Sequence, residues 1–292
     1  MFGFLNCNKP INFTSRDVVN VAQGQLRGQR VKVGHCGTLD PLADGVLVLG
    51  VGPAAKLVPF VHELPKTYHG VFRLGAESPT GDLEIEPEYF PDHPVPSEAE
   101  LDDAMKSFLG EIRQTPPAYS AIKINGKRAY DLARKGRNVE VPERRVQIHR
   151  LVLKRYQYPE FEIEIDCSTG TYIRTLGLDI AKAVGTVAVM TSLTRLSVGP
   201  FVIEQARSIE TLRDEPLQSL LLPASLGVSH LPSIRIDARQ SERILNGLCL
   251  PLPNGLQHEN SVAAIRGETE LYAILTPKRG CLCPKRVFGH HL

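Results

Sequence analysis

Residues 31–51, VKVGHCGTLDPLADGVLVLGV, carry the pattern that most limits the folds open to this chain. Two apolar runs rich in valine enclose a loop in which glycine, proline and aspartate are concentrated. Valine favours extended backbone, whereas glycine, proline and aspartate favour turns. The pattern therefore predicts a strand, a loop and a second strand. A loop held between two buried strands is a common position for catalytic residues, because the sheet fixes a short irregular segment.

Helical and strand patterns alternate along the rest of the chain. Residues 14–26 and 97–110 each begin with a Ser or Thr cap and carry an apolar stripe of helical period, the second one reaching Leu109. Apolar residues at period two predict strands at 66–74 and within 146–167. A third helical pattern follows Thr171, so Tyr172 and Arg174 lie where a strand ends and a helix begins. Such ends converge on clefts in mixed sheets.

Composition bounds the class of protein. A chain of 292 residues with 42% hydrophobic residues can build one substantial core and a smaller second one. Stretches of about 18 consecutive apolar residues, as a membrane helix requires, do not occur in it, and its start lacks the pattern of a signal peptide. The six cysteines show no C-x-x-C spacing, which predicts reduced thiols in a cytoplasmic protein. Cys281 and Cys283 share a strand face, but without a second ligand pair they do not indicate a metal site.

Basic residues are clustered, although the net charge is only +2. Residues 123–137 contain six basic side chains and one acidic one, Asp131, and residues 27–32 contain three more basic ones. Such clusters are typical of a solvated surface or of phosphate contacts. The charge pattern alone leaves both interpretations open.

Taken singly, the candidate site residues are ambiguous. Asp40 stands before a proline in a glycine-rich loop, where aspartate is most often a turn former. A tyrosine on an apolar strand face, such as Tyr68, is more often a core residue than a functional one, and a histidine beside a glycine, such as His35, is more often a loop residue than a base. Arg174 near a helix start opposes the preference of the helix dipole for acidic residues, which predicts a specific anionic partner.

Six blocks, taken together and in order, resemble the TruB family of tRNA pseudouridine-55 synthases. They are GHCGTLDPLADGVLVLGVGPAAKL, KTYHGVFRLG, TPPAYSAIKINGKRAYDLARKG, CSTGTYIRTLGLDIAKAVG, LTRLSVGPF and PKRVF. The resemblance covers nearly the whole chain, and six ordered blocks are far more specific than one short motif. It implies an enzyme that isomerises uridine-55 in the T-loop of tRNA.

The resemblance also assigns roles to individual residues. It implies that Asp40 is the nucleophile, that Tyr68 stacks on the target base and that Arg174 is the partner of Asp40, keeping a buried carboxylate ionised. The further substrate-binding residues that it implies are His35 against the opened RNA stack, Lys9 at the outer wall of the pocket, Tyr172 beneath the base and Leu196 lining the pocket. It implies no metal ion and no nucleotide or organic cofactor.

The fold implied by the resemblance is α+β, with a mixed, mostly antiparallel sheet of the pseudouridine synthase type and flanking helices. Residues 1–205 would form the catalytic domain, 206–233 a linker, and 234–292 a small β-rich PUA-like unit that binds RNA. An insertion at about 75–140 would embrace the RNA stem-loop. Its expected phosphate contacts are Lys123, Lys127, Arg128, Arg134 and Lys135. The T-arm of tRNA is the expected partner of a monomer that needs neither a membrane nor a guide RNA.

The chain departs from the family pattern at two places. Asn8 replaces the usual aspartate before Lys9, and SPTGDLEIE, with Pro79, replaces an acidic turn of which Asp82 remains. Two rival interpretations stay open, a guide-RNA-dependent relative and an RNA-binding or RNA-folding protein without catalysis. The sequence does not decide whether Asp40 attacks C1′ of the ribose or C6 of the base.

Overall fold

The computed structural model describes residues 1–117 and 142–291, together with the main chain of 123–124 and 127–128. The strands are β1 (Gly3–Lys9), β2 (Val33–His35), β3 (Asp44–Val51), β4 (Lys66–Leu74), β5 (Ala76–Glu77), β6 (Glu88–Tyr89), β7 (Gly110–Gln114), β8 (Lys123–Ile124), β9 (Lys127–Arg128), β10 (Arg144–Gln157), β11 (Glu160–Cys167), β12 (Ala188–Val198), β13 (Phe201–Val202), β14 (Ser233–Ile236), β15 (Leu250–Pro251), β16 (Val262–Arg266), β17 (Glu270–Lys278) and β18 (Cys281–Val287). The helices are α1 (Ser15–Gly24), α2 (Val58–Glu63), α3 (Glu98–Lys106), α4 (Ile173–Ala183), α5 (Ile209–Asp214), α6 (Leu217–Leu220) and α7 (Ala238–Leu245). This content confirms the predicted α+β class.

The chain divides into two compact units. The first comprises Met1–Asp40, Gly45–Leu64 and Val198–Leu292, and the second comprises Pro41–Asp44 and Pro65–Ser197. The domain boundaries predicted at residues 205 and 233 stay predictions. Among the described residues, no helix is both long enough and apolar enough to cross a membrane.

In the first unit, β3 lies between β1 and β2. It pairs antiparallel with β1 from Gly3 opposite Val51 to Lys9 opposite Gly45, and β2 pairs with its other edge. Nearly every residue of β3 is buried, so both faces of the strand are covered, as its continuous apolar run predicts. The predicted order of strand, loop and strand over residues 31–51 is confirmed.

Helix α1 begins where the sequence predicts it. Thr14 is its N-cap, and the Thr14 hydroxyl and the Asp17 carboxylate accept hydrogen bonds from each other's backbone N–H. Val18 and Ala22 are buried on the apolar side of the helix. The capping box therefore fixes the start of the helix locally, and the apolar stripe fixes which side faces the core.

The C-terminal strands form a second sheet in the first unit, in the order β14, β16, β17, β18 and β15. One side of this sheet joins the apolar core of the N-terminal strands, since Ile265 and Phe288 belong to the same buried cluster as Phe4 and Val48. The Phe288 ring also stacks on Phe2, with 4.9 Å between the ring centroids. The predicted β-rich C-terminal unit is confirmed, and it is docked on a larger neighbour.

Residues 206–233, predicted as a linker, contain α5 and α6 and follow the edge of β1. Phe4 and Leu222 exchange two backbone hydrogen bonds of 3.0 and 2.8 Å, and the Asn8 N–H donates to the Arg207 carbonyl at 2.8 Å. This stretch thus satisfies backbone groups of an edge strand that would otherwise remain unpaired.

The interpretation of all six cysteines as reduced thiols is wrong for one pair. Cys249 and Cys283 form a disulfide. The antiparallel pairing of β15 with β18 sets Leu250 opposite Leu282, so Cys249 stands directly opposite Cys283, with 4.2 Å between the Cα atoms. Directly opposed residues of antiparallel strands come this close, but a spacing of 34 residues along the chain gives no sign of it.

The second unit contains a sheet in the order β12, β4, β11, β10 and β7. Alternate residues of β11 are buried, in agreement with the predicted period of two. Helix α4 covers the apolar face at Gly177, where an added Cβ would lie 2.0 Å from the Phe72 ring. Gly177 therefore permits a close approach of helix and strand that any larger residue would prevent.

Helix α3 is shorter than its apolar stripe predicts. Its capping box of Ser97 and Glu100 is present, but the helix ends at Lys106, and Leu109 is 45% exposed. Gly110 begins β7, whose pairing with β10 requires extended backbone. The tertiary pairing therefore ends the helix about one turn early.

The main chain of β8 pairs antiparallel with that of β9. The predicted turn at Asn125–Gly126 and the predicted basic helix up to Gly136 lie outside the described residues. So do Arg134, Lys135 and the side chains of Lys123, Lys127 and Arg128, whose predicted phosphate contacts stay predictions.

Candidate active site

Asp40 lies in the loop that joins β2 to β3, and its side chain is exposed. The expectation of a buried carboxylate is therefore wrong for this structure. Its neighbour Leu39 is only 4% exposed, and the Ser15 hydroxyl donates to the Leu39 carbonyl at 3.0 Å and accepts from the Leu39 N–H at 2.9 Å. Asp40 is thus presented to solvent by a loop that is anchored one residue earlier.

Ser15 anchors the loop of Asp40 from the neighbouring helix. It occupies the first position of α1 and is 3% exposed. At this position its hydroxyl serves the loop of Asp40 rather than the helix itself. No local signal predicts this role, because Ser15 and Leu39 are 24 residues apart in the chain.

The other two predicted site residues of the first unit differ in exposure. Lys9 is completely buried at the end of β1, and its Nζ donates to the carbonyls of Pro10 at 2.9 Å and Phe13 at 2.6 Å. Lys9 therefore shapes the turn before α1. His35 is half-buried at the end of β2, two residues before the loop enters Gly37.

Tyr68 and Leu196 lie on neighbouring strands of the second unit, β4 and β12. The Ser197 hydroxyl donates to the Thr67 hydroxyl at 2.9 Å across these strands, so those two residues share one face of the sheet. Because side chains alternate along a strand, Tyr68 and Leu196 share the opposite face. Both are partly exposed, as a residue that contacts a substrate must be.

Arg174 forms a buried ion pair with Asp82. The two side chains are 7% and 8% exposed, and Arg174 Nη1 donates to Asp82 Oδ2. The anionic partner that its position at a helix start predicts is therefore present. Sequence reasoning named Asp40 for that place, and the pairing of Arg174 with Asp40 stays a prediction.

The turn that carries Asp82 is compact despite its departure from the family pattern. The Ser78 hydroxyl donates to the Asp82 carbonyl at 2.6 Å, and the Glu84 N–H donates to Asp82 Oδ1 at 3.1 Å. The Met190 N–H also donates to the Gly81 carbonyl at 3.0 Å, which ties the turn to β12. Hydrogen bonds within the turn and one to β12 thus fix the position of Asp82. The sequence signal that could have identified Asp82 is that this aspartate is kept within an otherwise altered turn.

Tyr172 is the N-cap residue of α4, and Gln114 holds its main chain. The Gln114 amide donates to the Tyr172 carbonyl at 2.9 Å and accepts from the Tyr172 N–H at 2.8 Å. Gln114 is 1% exposed, and at the end of β7 it stands opposite Arg144 of β10, whose guanidinium lies over the Tyr172 ring. Sequence reasoning missed both residues because they reach Tyr172 from distant strands.

A buried cation also lies near this part of the sheet. Burial, with a smaller contribution from the positive charge of Arg195, lowers the pKa of Lys66 to about 8. Lys66 is 7% exposed and Arg195 is 3% exposed. The positive charge of Arg195 thus disfavours the charged form of Lys66, and water does not screen the interaction effectively.

Comparison with known proteins gives a consistent result. Residues 25–173 match the model of the TruB family pseudouridylate synthases (N terminal domain). The tRNA pseudouridine synthase B of Rhodopirellula baltica is 43% identical over 259 residues, which cover 84% of this chain and 74% of that protein. The enzyme of the same name from Geobacillus thermodenitrificans is 38% identical over 304 residues, covering 99% of this chain and all of that protein.

Solved structures support the fold. A chain in the crystal structure of a Cbf5-Nop10-Gar1 complex superposes with a TM-score of 0.76 at 24% identity, covering 98% of this chain and 84% of that one. A chain of an H/ACA RNP bound to a substrate RNA containing 2'-deoxyuridine gives a TM-score of 0.75 at 23% identity, covering 98% and 85%. At this level of identity the likeness concerns the fold alone.

Proposed function

The chain belongs to the TruB family of pseudouridylate synthases, and from that premise we propose that it converts uridine-55 in the T-loop of tRNA to pseudouridine. Asp40 is the nucleophile of this reaction, and Tyr68 and Arg174 complete the catalytic set. The observation that supports it most directly is an exposed Asp40 on an anchored loop, within the block of sequence that resembles the family's catalytic segment.

The reaction explains why a carboxylate is needed. It breaks the bond between N1 of uracil and C1′ of ribose, turns the detached base and joins it to the sugar again through C5. A nucleophile that forms a covalent bond with the sugar or the base retains the fragments meanwhile. Attack of Asp40 on C1′ or on C6 meets this requirement equally well.

The base must leave the RNA stack before Asp40 can reach it. Flipping a nucleotide costs a few kcal/mol, and stacking on an aromatic ring recovers about 1–3 kcal/mol. The partly exposed Tyr68 is the proposed stacking residue, Tyr172 packs beneath the base, and Leu196 lines the pocket. His35 contacts the opened stack, and Lys9 supports the outer wall of the pocket through the turn that it holds.

Arg174 is proposed to bring positive charge to Asp40 when the substrate is bound. A carboxylate that loses water to an incoming base needs an opposite charge to remain ionised. The ion pair with Asp82 holds Arg174 at the start of α4 and fixes its direction. Asp82 thus acts through Arg174 and is not itself proposed to touch the RNA.

The decisive experiment maps pseudouridine by mass spectrometry in tRNA incubated with the purified protein. Asp40→Asn is expected to abolish the product at position 55. Asp214→Asn, which neutralises an exposed carboxylate at the end of α5, serves as the matched control and is expected to retain activity. A normal rate for Asp40→Asn would disprove the assignment of the nucleophile.

A second experiment separates this proposal from guide-RNA-dependent action. The lone protein is expected, as a monomer, to modify a minimal T-arm hairpin without added RNA or protein. The PUA-like C-terminal unit is proposed to add contacts to the full tRNA, and the cytoplasm is the proposed place of action. Failure on the hairpin together with success in a guide-containing complex would favour the other branch.

A role in RNA folding without catalysis is the rival from another class. It predicts that Asp40→Asn refolds misfolded tRNA as well as the unaltered protein does. Refolding by this variant alongside lost isomerisation would show that the two activities coexist. Refolding by an unaltered protein that forms no pseudouridine would replace the proposed function.

A further inference from the structure

Arg144 lies at the first residue of β10, on the face of the sheet that is turned away from solvent. Val146 and Ile148 follow it at alternate positions and are 3% and 1% exposed. Its neighbour Arg145 points to the other face, where it pairs with the exposed Glu111 at 3.0 Å. Two adjacent arginines therefore occupy different environments, and only Arg144 is half-buried.

The guanidinium of Arg144 is held by two neighbours. Its central carbon lies 4.5 Å from the centroid of the Tyr172 ring, which is the distance of a cation–π contact. Beside it, an added Cβ on Gly170 would lie 2.9 Å from Nη1, and Gly170 has a φ of +85°. A side chain at position 170 would therefore displace the guanidinium, and the backbone there also favours glycine.

One edge of the Arg144 guanidinium makes no hydrogen bond to the described residues. Nε and Nη2 of Arg144 are both buried, and neither has a hydrogen-bond partner among the described residues. Arginine stays protonated, so these are charged donors whose burial is unfavourable without an acceptor. The arrangement therefore points to an acceptor that a ligand supplies.

The pair of atoms identifies the chemistry of that ligand. Nε and Nη2 present two parallel N–H groups, which fit two oxygens of one phosphate or carboxylate. The edge of uracil offers two carbonyl oxygens separated by an N–H donor, so it does not match two adjacent donors. In an RNA substrate the matching group is a backbone phosphate.

We propose that Arg144 binds one backbone phosphate of the RNA beside the flipped uridine, through Nε and Nη2. The inference rests on the proposed function, because Tyr172, on which Arg144 stacks, is the residue proposed to lie beneath the base. Gln114 clamps the Tyr172 main chain from the strand position opposite Arg144. Arg144 would thus hold the RNA backbone and, through its contact with Tyr172, also support the residue beneath the flipped base.

The test measures binding of a T-arm hairpin in which single phosphates are replaced in turn by neutral methylphosphonates. The unaltered protein is expected to lose affinity by about tenfold or more at one position, the size of a lost charge-assisted contact. Arg144→Met is expected to bind the unmodified hairpin more weakly by a similar factor. Its affinity is not expected to fall further when the phosphate at that position is replaced by a methylphosphonate. Arg145→Met removes the same charge from the adjacent residue and is expected to keep the position-specific loss.

The outcome that overturns the inference is an Arg144→Met protein that keeps the same sensitivity as the unaltered protein at every phosphate. Thermal unfolding verifies that the variant is folded, and Arg144→Gln, which is neutral but polar, replaces it if it is not. Because binding affinity is measured independently of pseudouridine formation, the phosphate contact of Arg144 and the proposed function can be disproved independently. A protein that binds the hairpin through Arg144 but forms no pseudouridine would disprove only the proposed function.

Discussion

The loop of Asp40 in the first unit and the cluster of Arg174 in the second unit differ in how far they expose their charged side chains. Asp40 is exposed, and the anchor of its loop is Ser15, which bonds to the residue before it. Arg174 is buried and paired with Asp82, and Gln114 holds the residue two positions earlier. The group that we propose to meet the substrate is accessible, whereas the group that we propose to act by its fixed direction is enclosed.

The difference has a physical reason. A charged side chain that loses water requires a partner, and removing one member of a buried pair costs far more than removing an exposed charge. Asp40 is therefore expected to matter for the rate and little for stability. The Arg174 cluster is expected to matter for both.

Asp40→Asn gives the largest expected effect and tests the first half of this contrast. The rate of isomerisation should fall at least about 1,000-fold, as when other enzymes lose a nucleophile, while the free energy of unfolding in urea changes by less than about 1 kcal/mol. A large loss of stability would mean that the carboxylate is a structural turn former. That result would agree with the most frequent role of an aspartate before a proline in a glycine-rich loop.

Asp82→Asn tests the second half. It removes the charge of the Asp82 carboxylate from a buried ion pair with Arg174, so the free energy of unfolding should fall by about 3–5 kcal/mol. The exposed pair of Arg145 and Glu111, with side chains 67% and 60% exposed, supplies the control. Glu111→Gln should cost less than about 1 kcal/mol.

A double variant sharpens this result. Asp82→Asn combined with Arg174→Met removes both members of the pair and should destabilise the protein by clearly less than the sum of the two single variants. Additive losses, measured by the same urea titrations, would contradict direct coupling of the two side chains.

The lowered pKa of Lys66, a residue of the second unit, predicts that the free energy of unfolding depends on pH. Its pKa is about 8 in the folded protein, against the ordinary value of 10.5, so between these values the unfolded chain binds more protons. The free energy of unfolding should therefore rise with pH across that window, by about 3 kcal/mol at most, and the rise should be absent below pH 8. Urea titrations of the unaltered protein and Lys66→Met at pH 7.5 and 9.5 measure it, and an equal pH dependence in both would contradict the prediction.

Ser15→Ala should have a smaller effect on stability than Asp82→Asn and a smaller effect on the rate than Asp40→Asn. It removes both hydrogen bonds to Leu39, whose buried backbone groups then lack these partners, at a cost of about 1–2 kcal/mol. The rate should also fall, because the loop no longer holds Asp40 in one position, whereas binding of the T-arm hairpin should be nearly unchanged. Thr14→Ala, which weakens the start of the same helix without touching Leu39, is the control, and an equal loss of rate in both variants would exclude a specific role for the anchor.

Local elements could be predicted because their causes lie within a few residues. The helix caps at Thr14 and Ser97, the alternating strand β11 and the loop between β2 and β3 all appear where the sequence indicates. The exception is the end of α3, where pairing of the next strand overrides the apolar stripe that continues to Leu109. Propensity is a weak guide wherever a distant strand competes for the same backbone.

The sequence by itself determined the family, the order of elements and the segment that carries Asp40. Only the tertiary structure decided that Asp40 is exposed, that Asp82 contacts Arg174 from 92 positions away, and that Cys249 meets Cys283 across two strands. The contact of Arg144 with Tyr172 belongs with them. Each depends on contacts between residues that are distant in the sequence, and in the strands a shift of register by one residue would turn Cys283 or Arg144 to the other face.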